Sequence, residues 1–516
     1  MTIKKIIKAK EAAELVKDGD VIATTGFVGS ALPEELTSAL ENRFVETNKP
    51  NDLTLIYAAG QGNRDGSGAD HFAHKGMTKR VIAGHYNLAP KLGELILNNE
   101  IEGYNFPQGT LSQLFRASAG RKPGILTHVG LNTFVDPKVS GGKLNDITKE
   151  DLVERIEIFG EEKLIFKSIN PDVCFLRATY ADEYGNCTVE NEVTTTEVTS
   201  VAQAAKNNGG TVIVQVEKVV KAGSLDPKLV KIPGIYVDYL VVTEETKHEQ
   251  IIGQEFDPSL SGQVVVPVES DKTIPLDAKK IIARRAALFL EENSVVNLGI
   301  GVPEYVSTVA NEEGIGDYMT LTVEAGAIGG VPLGGAKFGA ARNAEVILDQ
   351  AYQFDFYDGS GIDLAFLGLA EADRHGNINV SKFGVRLAGC GGFINITQNA
   401  KKVFYLGTFT AGGLRTEVQD GKLVITQEGK NVKFVEDVDQ ITFSGEYANK
   451  VGQPVYYITE RAVFELTKEG VKLIEVAPGI DVESQVLKYM KFKPIVADDL
   501  KLMDERIFRE EKMGLK

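Results

Sequence analysis

One carboxylate stands alone in the glycine-rich stretch LTVEAGAIGGVPLGG, residues 321–335, which contains five glycines. The preceding residues, DYMTLTV, have the composition of a strand, and Glu324 follows where that strand gives way to the glycines. In isolation, such a carboxylate is explained as a solvated strand end. The alternative is a chemical role, because a glutamate with the ordinary pKa of about 4.3 is ionised at neutral pH and needs no histidine to remove its proton.

Two further segments contain groups that could contact a ligand. The turn in LAGCGGFINIT contains Gly389, Gly391 and Gly392, whose backbone N–H groups could approach a ligand closely and hold an oxyanion. The segment YNFPQGTLSQLF places Gln108 just before a predicted helix, where its amide is either a ligand donor or a helix cap. Taken one at a time, these segments are better explained as a plain tight turn and as a helix cap.

The elements that position these residues are duplicated along the chain. KKIIKAKEAAELVKDGDVIATTGF, from Lys4, and KKIIARRAALFLEENSVVNLGI, from Lys279, each predict an amphipathic helix, a turn and an apolar strand. DVCFLRATYADEYGN, from Asp172, and DLAFLGLAEADRHGN, from Asp363, are identical at seven of fifteen positions. The sequence therefore predicts two related halves.

The repeat also aligns Glu324 with a neutral residue in the first half. Aligning TLIYAAG, from Thr54, with TLTVEAG, from Thr320, places Glu324 opposite Ala58. Because the matching strand needs no charge at this position, the fold alone does not explain the glutamate.

Within each half, strands alternate with helices, which predicts an α/β fold of two related open domains with mostly parallel sheets. Ligands of such sheets bind outside the carboxyl ends of the strands. The stretch SGQVVVPVESDKTIPLDAKK, residues 261–280, has the composition of a linker, with a boundary near Pro275. We therefore expect domains at residues 1–274 and 275–516.

Composition limits the possible functions. With 56 basic and 72 acidic residues, the net charge of −16 argues against nucleic-acid binding. Three cysteines without a CxxC motif favour a reducing compartment, and we expect a cytoplasmic protein. The N-terminal segment predicts a charged amphipathic helix rather than a secretory signal, and no apolar run is long enough to predict a membrane span.

Other catalytic motifs have weak support. The sequence contains neither G-x-S-x-G nor a Walker A motif, and GQGNRDG departs from G-x-G-x-x-G at its sixth residue. His71, His74 and His85 could suggest a metal site, but no HExxH motif or cysteine partner supports one, so packing or surface roles are favoured and no metal is expected. Cys390 is better explained as a small buried filler than as a reactive thiol.

Together, these segments resemble the class I coenzyme A transferases. The matching motifs are Glu-x-Gly at Glu324 and Gly326, Gly-x-Gly-Gly-Phe at residues 389–393, and Pro-Gln-Gly-Thr-Leu at residues 107–111. The resemblance extends over essentially the whole chain and is closest to the propionate CoA-transferase branch, which includes acetate-using enzymes. It implies that Glu324 attacks an acyl-CoA and carries CoA as a glutamyl thioester, while the amides of Gly391, Gly392 and Gln108 stabilise the oxyanion.

The resemblance also implies ligands and partners. Acyl-CoA and short acids such as acetate, propionate or lactate are the expected substrates, with no tightly bound cofactor, and the chain is expected to form a homo-oligomer, with a tetramer suspected. Candidate residues for binding substrate and CoA are Gly389, Phe393, Gly326, Lys382, Arg342 and Arg386, of which each basic residue alone could be a surface charge. Two alternatives remain: an acyl-CoA hydrolase on the same scaffold, and a non-catalytic α/β metabolite-binding protein.

Overall fold

A computed structural model describes residues 2–243, 247–268 and 274–516. Residues 269–273 of the predicted linker lie outside the described residues. The α-helices are α1 (Ala9–Glu14), α2 (Glu34–Thr47), α3 (Pro90–Leu97), α4 (Gln108–Ala119), α5 (Val198–Asn207), α6 (Ala278–Ala287), α7 (Glu304–Glu313), α8 (Gln350–Asp358), α9 (Phe393–Asn399), α10 (Gly445–Val451) and α11 (Val482–Gln485).

The strands of the N-terminal part are β1 (Lys5–Ile6), β2 (Val21–Thr24), β3 (Leu53–Tyr57), β4 (Thr78–Ala83), β5 (Glu102–Asn105), β6 (Gly124–Thr127), β7 (Val153–Ile158), β8 (Glu161–Lys167), β9 (Val173–Asp182), β10 (Cys187–Thr188), β11 (Thr211–Val220), β12 (Val230–Ile232) and β13 (Tyr239–Val242). Those of the C-terminal part are β14 (Ser294–Leu298), β15 (Met319–Thr322), β16 (Ala327–Ile328), β17 (Val331–Pro332), β18 (Ala341–Arg342), β19 (Val346–Ile347), β20 (Leu364–Gly368), β21 (Glu371–Ala372), β22 (Ile378–Asn379), β23 (Lys382–Phe383), β24 (Arg386–Leu387), β25 (Lys402–Leu406), β26 (Thr410–Ala411), β27 (Arg415–Gln419), β28 (Lys422–Gln427), β29 (Asn431–Val432), β30 (Val455–Ile458), β31 (Ala462–Thr467), β32 (Gly470–Val476) and β33 (Ile495–Leu502).

The chain forms two compact units. The first comprises Met1–Val266, Val323–Asp355 and Gly384–Asn395, and the second Pro267–Thr322, Phe356–Phe383 and Ile396–Lys516. Two segments of the C-terminal part thus belong to the first unit, and they contain Glu324 and the glycine turn. The division of the sequence into domains at residues 1–274 and 275–516 stays a prediction.

The first unit is built on a sheet whose main strand order is β1-β13-β11-β9-β2-β3-β4-β5, with all neighbouring pairs parallel. Its hydrophobic core includes Leu36 and Leu40 of α2, Leu92 and Ile96 of α3, and Leu55 of β3. Helices therefore cover a mostly parallel sheet, and the carboxyl ends of β3, β4 and β5 form one edge.

The second unit contains strands in the order β15-β14-β20-β25-β30-β31-β32-β33. The pairs from β15 to β30 are parallel, and the ring centroids of Phe366 and Phe404 stack 4.7 Å apart in its core. The predicted α/β fold with mostly parallel sheets is confirmed. Within the described ranges, every helix is too short or too polar to span a bilayer.

The two units share a detail that supports the duplicated sequence. In the first, the backbone N–H of Val21 donates to Asp172 Oδ2 at 2.8 Å. In the second, the backbone N–H of Val295 donates to Asp363 Oδ2, also at 2.8 Å. The aspartates open the two fifteen-residue segments that were aligned from the sequence, so the repeated residues have the same local role.

Strand register supports the comparison of Glu324 with Ala58. Val21 pairs with Thr54 in the first unit, and Val295 pairs with Thr320 in the second. Counting onward from Thr54 and Thr320 reaches Ala58 and Glu324 after the same number of residues. Glu324 is therefore an acid at a position where the corresponding residue, just after β3, is alanine.

Candidate active site

Glu324 lies in a tight turn directly after β15. The backbone N–H of Val323 donates to Ala327 O at 2.8 Å, and the N–H of Gly326 donates to Val323 O at 2.9 Å. Gly326 has a φ of +118°, and a Cβ there would lie 2.1 Å from Leu348 O. The turn therefore requires glycine two residues after the carboxylate, which explains the Glu-x-Gly spacing.

The carboxylate of Glu324 is poorly solvated. Its residue is half-buried, and Oε2 is enclosed with no hydrogen-bond partner among the described residues. Burial raises the pKa of Glu324 to about 7, and the backbone amide of Gly392 opposes that shift. The sequence argument assumed the ordinary pKa, so the structure changes the expectation from a fully ionised nucleophile to one that is about half protonated at pH 7.

The glycine turn lies directly against this carboxylate. A Cβ on Gly392 would lie 2.0 Å from Glu324 Oε2 and 3.0 Å from Phe354 Cζ. Gly389 and Gly391 have φ values of +84° and +52°, in the left-handed region that favours glycine. The turn therefore needs glycine both for its backbone conformation and to leave room for Glu324.

The two predicted oxyanion amides of this turn differ in their bonding. The N–H of Gly391 donates to Gly84 O at 2.7 Å, so this amide is already occupied. The amide of Gly392 instead interacts with the carboxylate of Glu324. The structure thus places Gly392 at the carboxylate of Glu324 and gives Gly391 a bond that anchors the turn.

Gln108 lies at the same turn, as the first residue of α4. Its backbone N–H donates to Gly391 O at 2.9 Å, and the side chain is buried. Its Nε2 has no hydrogen-bond partner in the part of the chain that the structure describes. Because Pro107 occupies the N-cap position and Gln108 is already the first helical residue, the geometry favours the ligand-donor interpretation over the cap.

Asn105 holds the turn at the carboxyl ends of β4 and β5. Its Nδ2 donates to Gly84 O at 2.7 Å, and its Oδ1 accepts the backbone N–H of Cys390 at 2.9 Å. Cys390 is buried, which raises the pKa of its thiol and fits a filler role. Sequence analysis missed Asn105, whose only signal was its position at a strand end.

Two threonines that sequence analysis also missed support the turn of Glu324. The Oγ1 of Thr194 donates to Ala325 O at 2.5 Å, and the Oγ1 of Thr195 donates to Leu348 O at 2.9 Å. The N–H of Leu348 in turn donates to Gly326 O at 2.9 Å. Ala325 and, through Leu348, Gly326 are therefore held from a segment that is remote in sequence.

The remaining predicted residues differ in their positions. Phe393 begins α9 next to the glycine turn, and exposed Arg386 donates to Asn87 Oδ1 at 3.1 Å. Arg342 forms an ion pair with Asp257 at 3.1 Å. Lys382 belongs to the second unit, whereas Phe393 and Arg386 lie in elements that adjoin the turn in the first unit.

Two of the three histidines considered for a metal site, His71 and His74, have carboxylate partners. His71 bonds to Glu34 and Glu41, and His74 bonds to Glu41, each at 2.6 Å. Among the described residues, no group of three or more His, Cys, Asp or Glu could hold a metal ion. His85 is different, because it lies at the glycine turn.

Comparison with known proteins agrees with this arrangement. The family model for coenzyme A transferase matches residues 6–243. The chain is 42% identical to acetate CoA-transferase YdiF of Escherichia coli K12, over 99% of this chain and 96% of the relative. It is 44% identical to caffeate CoA-transferase of Acetobacterium woodii, over 99% and 98% of the two chains.

Solved structures show the same relationship. The apoenzyme of the acyl-CoA transferase YdiF from Escherichia coli O157:H7 superposes with a TM-score of 0.94 at 41% identity, over 100% of this chain and 98% of that one. A thioester complex of that transferase with CoA superposes with a TM-score of 0.92, at the same identity and coverage. The chain belongs to the coenzyme A transferase family and is a CoA-transferase, as the sequence motifs predicted.

Proposed function

We propose that the protein transfers CoA between an acyl-CoA and a short-chain carboxylic acid, with Glu324 as the nucleophile and a glutamyl-CoA thioester as the intermediate. The observation that carries the proposal is the enclosed Oε2 of Glu324, which lacks a hydrogen-bond partner among the described residues and lies against Gly392. The acetate CoA-transferase relative and the relative solved as a CoA thioester complex support the same chemistry.

The reaction divides one exchange into two reversible halves. A carboxylate oxygen of Glu324 attacks the thioester carbonyl carbon and forms a C–O bond. The C–S bond then breaks, CoA departs as the thiolate, and a mixed anhydride between the acyl group and Glu324 remains. The thiolate then attacks the glutamyl carbonyl, releases the first acid and forms glutamyl-CoA. A second acid reverses these steps and leaves as the new acyl-CoA.

Each attack places negative charge on a carbonyl oxygen, which needs hydrogen-bond donors. Gln108 supports the proposal, because its buried Nε2 has no partner among the described residues. The amide of Gly392 is the second donor, since it already interacts with the nucleophile. One such donor contributes about 3 kcal/mol to stabilising the transition state.

Basic residues are the candidates for binding the phosphates of CoA. Arg386 supports phosphate binding because its side chain is exposed in the short strand that precedes the glycine turn. Arg342 would first have to leave Asp257. Roles for Arg342, Lys382, Gly389, Gly326 and Phe393 in binding CoA or the acyl group stay predictions.

Mass spectrometry tests the intermediate directly. Wild-type protein mixed with acetyl-CoA and no acceptor should retain CoA as a thioester, hydroxylamine should release it, and peptide mapping should place the adduct on Glu324. Glu324→Gln should form none, because an amide is too weak a nucleophile to open the thioester. An adduct on Cys390 would contradict the proposal.

Kinetics test the order of the steps and the alternatives. Double-reciprocal plots of initial rate against acyl-CoA concentration, at several acceptor concentrations, should be parallel, since the first acid leaves before the second binds. Intersecting lines would indicate a ternary complex. CoA release without any carboxylate would instead indicate a hydrolase, and no turnover with any pair would indicate a binding protein. Acetate, propionate, lactate and caffeate as acceptors would define the acid, and we expect the short acids to have the highest kcat/KM.

Assembly and compartment belong to the same proposal. The family likeness supports a homo-oligomer, with a tetramer expected, in the cytoplasm. Light scattering of the purified protein would test the assembly, and a monomeric mass would contradict it.

A further inference from the structure

His85, a histidine that the proposed mechanism leaves unused, lies at the glycine turn. Its ring Cδ2 is 3.9 Å from the position that a Cβ on Gly391 would occupy, and Gln108 Oε1 is 3.7 Å from the same position. The imidazole and the Gln108 amide therefore border the same side of Gly391. Because Gly392 follows directly and touches Glu324, His85 belongs to the surroundings of the nucleophile.

The backbone around His85 is fixed by its neighbours. The hydroxyl of Tyr57 donates to His85 O at 3.1 Å. The N–H of Tyr86 donates to Ala388 O at 2.8 Å, which joins this segment to the strand leading into the glycine turn. The ring is therefore held at the turn and does not extend freely into solvent.

Two glycines make room for this ring. A Cβ on Gly60 would lie 2.6 Å from His85 Nδ1, and a Cβ on Gly389 would lie 2.8 Å from His85 Cα. Nδ1 is enclosed without a hydrogen-bond partner among the described residues. An N–H at that position would be an unsatisfied buried donor, so the geometry favours a proton on Nε2.

The other edge of the ring is the one that can meet a ligand. Nε2 is bonded to Cδ2 and lies on the edge that borders Gly391, and the residue as a whole is half-buried. Burial, with the charges of Arg64 and Arg386, lowers the pKa of His85 to about 4. The imidazole is then neutral at pH 7, and its Nε2–H is a fixed neutral donor.

We propose that His85 is a catalytic residue that donates its Nε2–H to the carbonyl oxygen of the acyl group attacked by Glu324. The inference rests on the proposed function and adds a donor to it. An additional donor is needed because the Gly391 N–H, one of the predicted oxyanion amides, already donates to Gly84 O at 2.7 Å. Gln108 and Gly392 would otherwise share the developing charge alone.

His85 keeps its proton throughout this step. As the C–O bond to Glu324 forms, the carbonyl π electrons move onto oxygen, and the hydrogen bond from Nε2 strengthens. When the oxyanion collapses, the C–S bond breaks and the electron pair leaves on the CoA thiolate. The imidazole therefore stabilises charge without acting as an acid or base.

Two substitutions at His85 test the donor. His85→Phe keeps a ring but removes the donor, and it should lower kcat about 100-fold while the KM for acetyl-CoA changes less than about threefold. His85→Gln places an amide donor at a similar distance from the backbone, and its kcat should be at least about tenfold higher than that of His85→Phe. His375→Phe, at an exposed histidine in the second unit, is the matched control and should behave as wild type.

Each contrary outcome is informative. A His85→Phe enzyme with near-normal kcat would overturn the inference, as would a His85→Gln enzyme no better than His85→Phe, because the ring would then only pack. Wild-type protein that forms no adduct on Glu324 would instead overturn the proposed function. An adduct together with an unaffected His85→Phe enzyme would overturn only the role of His85.

A second measurement decides the point if His85→Phe does not fold. In Glu324→Gln protein labelled with 15N-histidine, the His85 signals, assigned by their loss in His85→Gln, should show a proton on Nε2 at pH 7. That signal should shift when a non-reactive acetyl-CoA thioether analogue binds. A proton on Nδ1, or an unshifted signal at saturating analogue, would refute the donor role.

Discussion

Gly392 and Glu324 are in such close contact that a methyl group on Gly392 would lie 2.0 Å from Glu324 Oε2. The glycine therefore defines the space that the carboxylate of Glu324 occupies. In contrast, a Cβ on Gly93, inside α3, meets only Leu387 Cβ at 3.9 Å, an ordinary contact. These two glycines provide a matched pair for testing the site.

Gly392→Ala should lower kcat by about 100-fold or more, because the carboxylate must leave its attacking position and the amide must shift. Gly93→Ala should keep normal kcat and raise the free energy of unfolding by about 0.5–1 kcal/mol, since alanine favours a helix. Steady-state kinetics and denaturant unfolding check both variants. A fully active Gly392→Ala enzyme would contradict the described contact.

The activity should depend on the protonation of Glu324. Because its pKa is raised to about 7, kcat/KM should increase with pH, reach half of its maximum near pH 7 and level off above about pH 8. A carboxylate with the ordinary pKa of about 4.3 would give a flat profile over this range. A pH–rate profile from pH 5.5 to 8.5 distinguishes the two.

The same shift affects stability with a definite sign. When a carboxyl group has a higher pKa in the folded state than in the unfolded state, the free energy of unfolding falls as the pH rises from the unfolded pKa to the folded pKa. Glu324→Gln should therefore be more stable than wild type at pH 8, by on the order of 2 kcal/mol, with the difference vanishing near pH 4. Urea unfolding at both pH values measures it, and equal stabilities at pH 8 would count against the buried charge.

Thr194 is expected to act as a positioning residue. Thr194→Val keeps the shape but removes the hydrogen bond to Ala325 O, so kcat should fall about tenfold with little change in KM. Thr194→Ser should restore most of the rate. Thr199→Val, which loses a hydroxyl bond of 2.6 Å to Lys231 O, is the matched control and should keep normal kcat.

The ion pairs of His71 should stabilise the fold in a pH-dependent way. Glu34 and Glu41 raise the pKa of His71 to about 9, against the opposing effect of burial. Because this pKa is raised on folding, the stabilisation is complete below the unfolded pKa of about 6.5 and is lost as pH rises through 9. His71→Gln should cost up to about 3 kcal/mol at pH 6 and much less at pH 9.5, as measured by urea unfolding.

The sequence by itself determined the fold class and singled out Glu324 as the candidate nucleophile. Hydrophobic periodicity indicates strands and helices because one face of each must be buried, so the α/β alternation was visible without coordinates. The duplicated strands made Glu324 recognisable, because Ala58 occupies the matching position in a strand that does not need the charge. Short motifs around it then indicated the family.

Only the tertiary structure decided how the site is built. Thr194 and Ala325 are 131 residues apart, and their contact depends on the path of the whole chain. The raised pKa of Glu324 and the lowered pKa of His85 come from loss of water around them, which follows from packing and leaves no mark in the local sequence. The occupied N–H of Gly391 is likewise set by Gly84, a strand end brought beside the turn by folding.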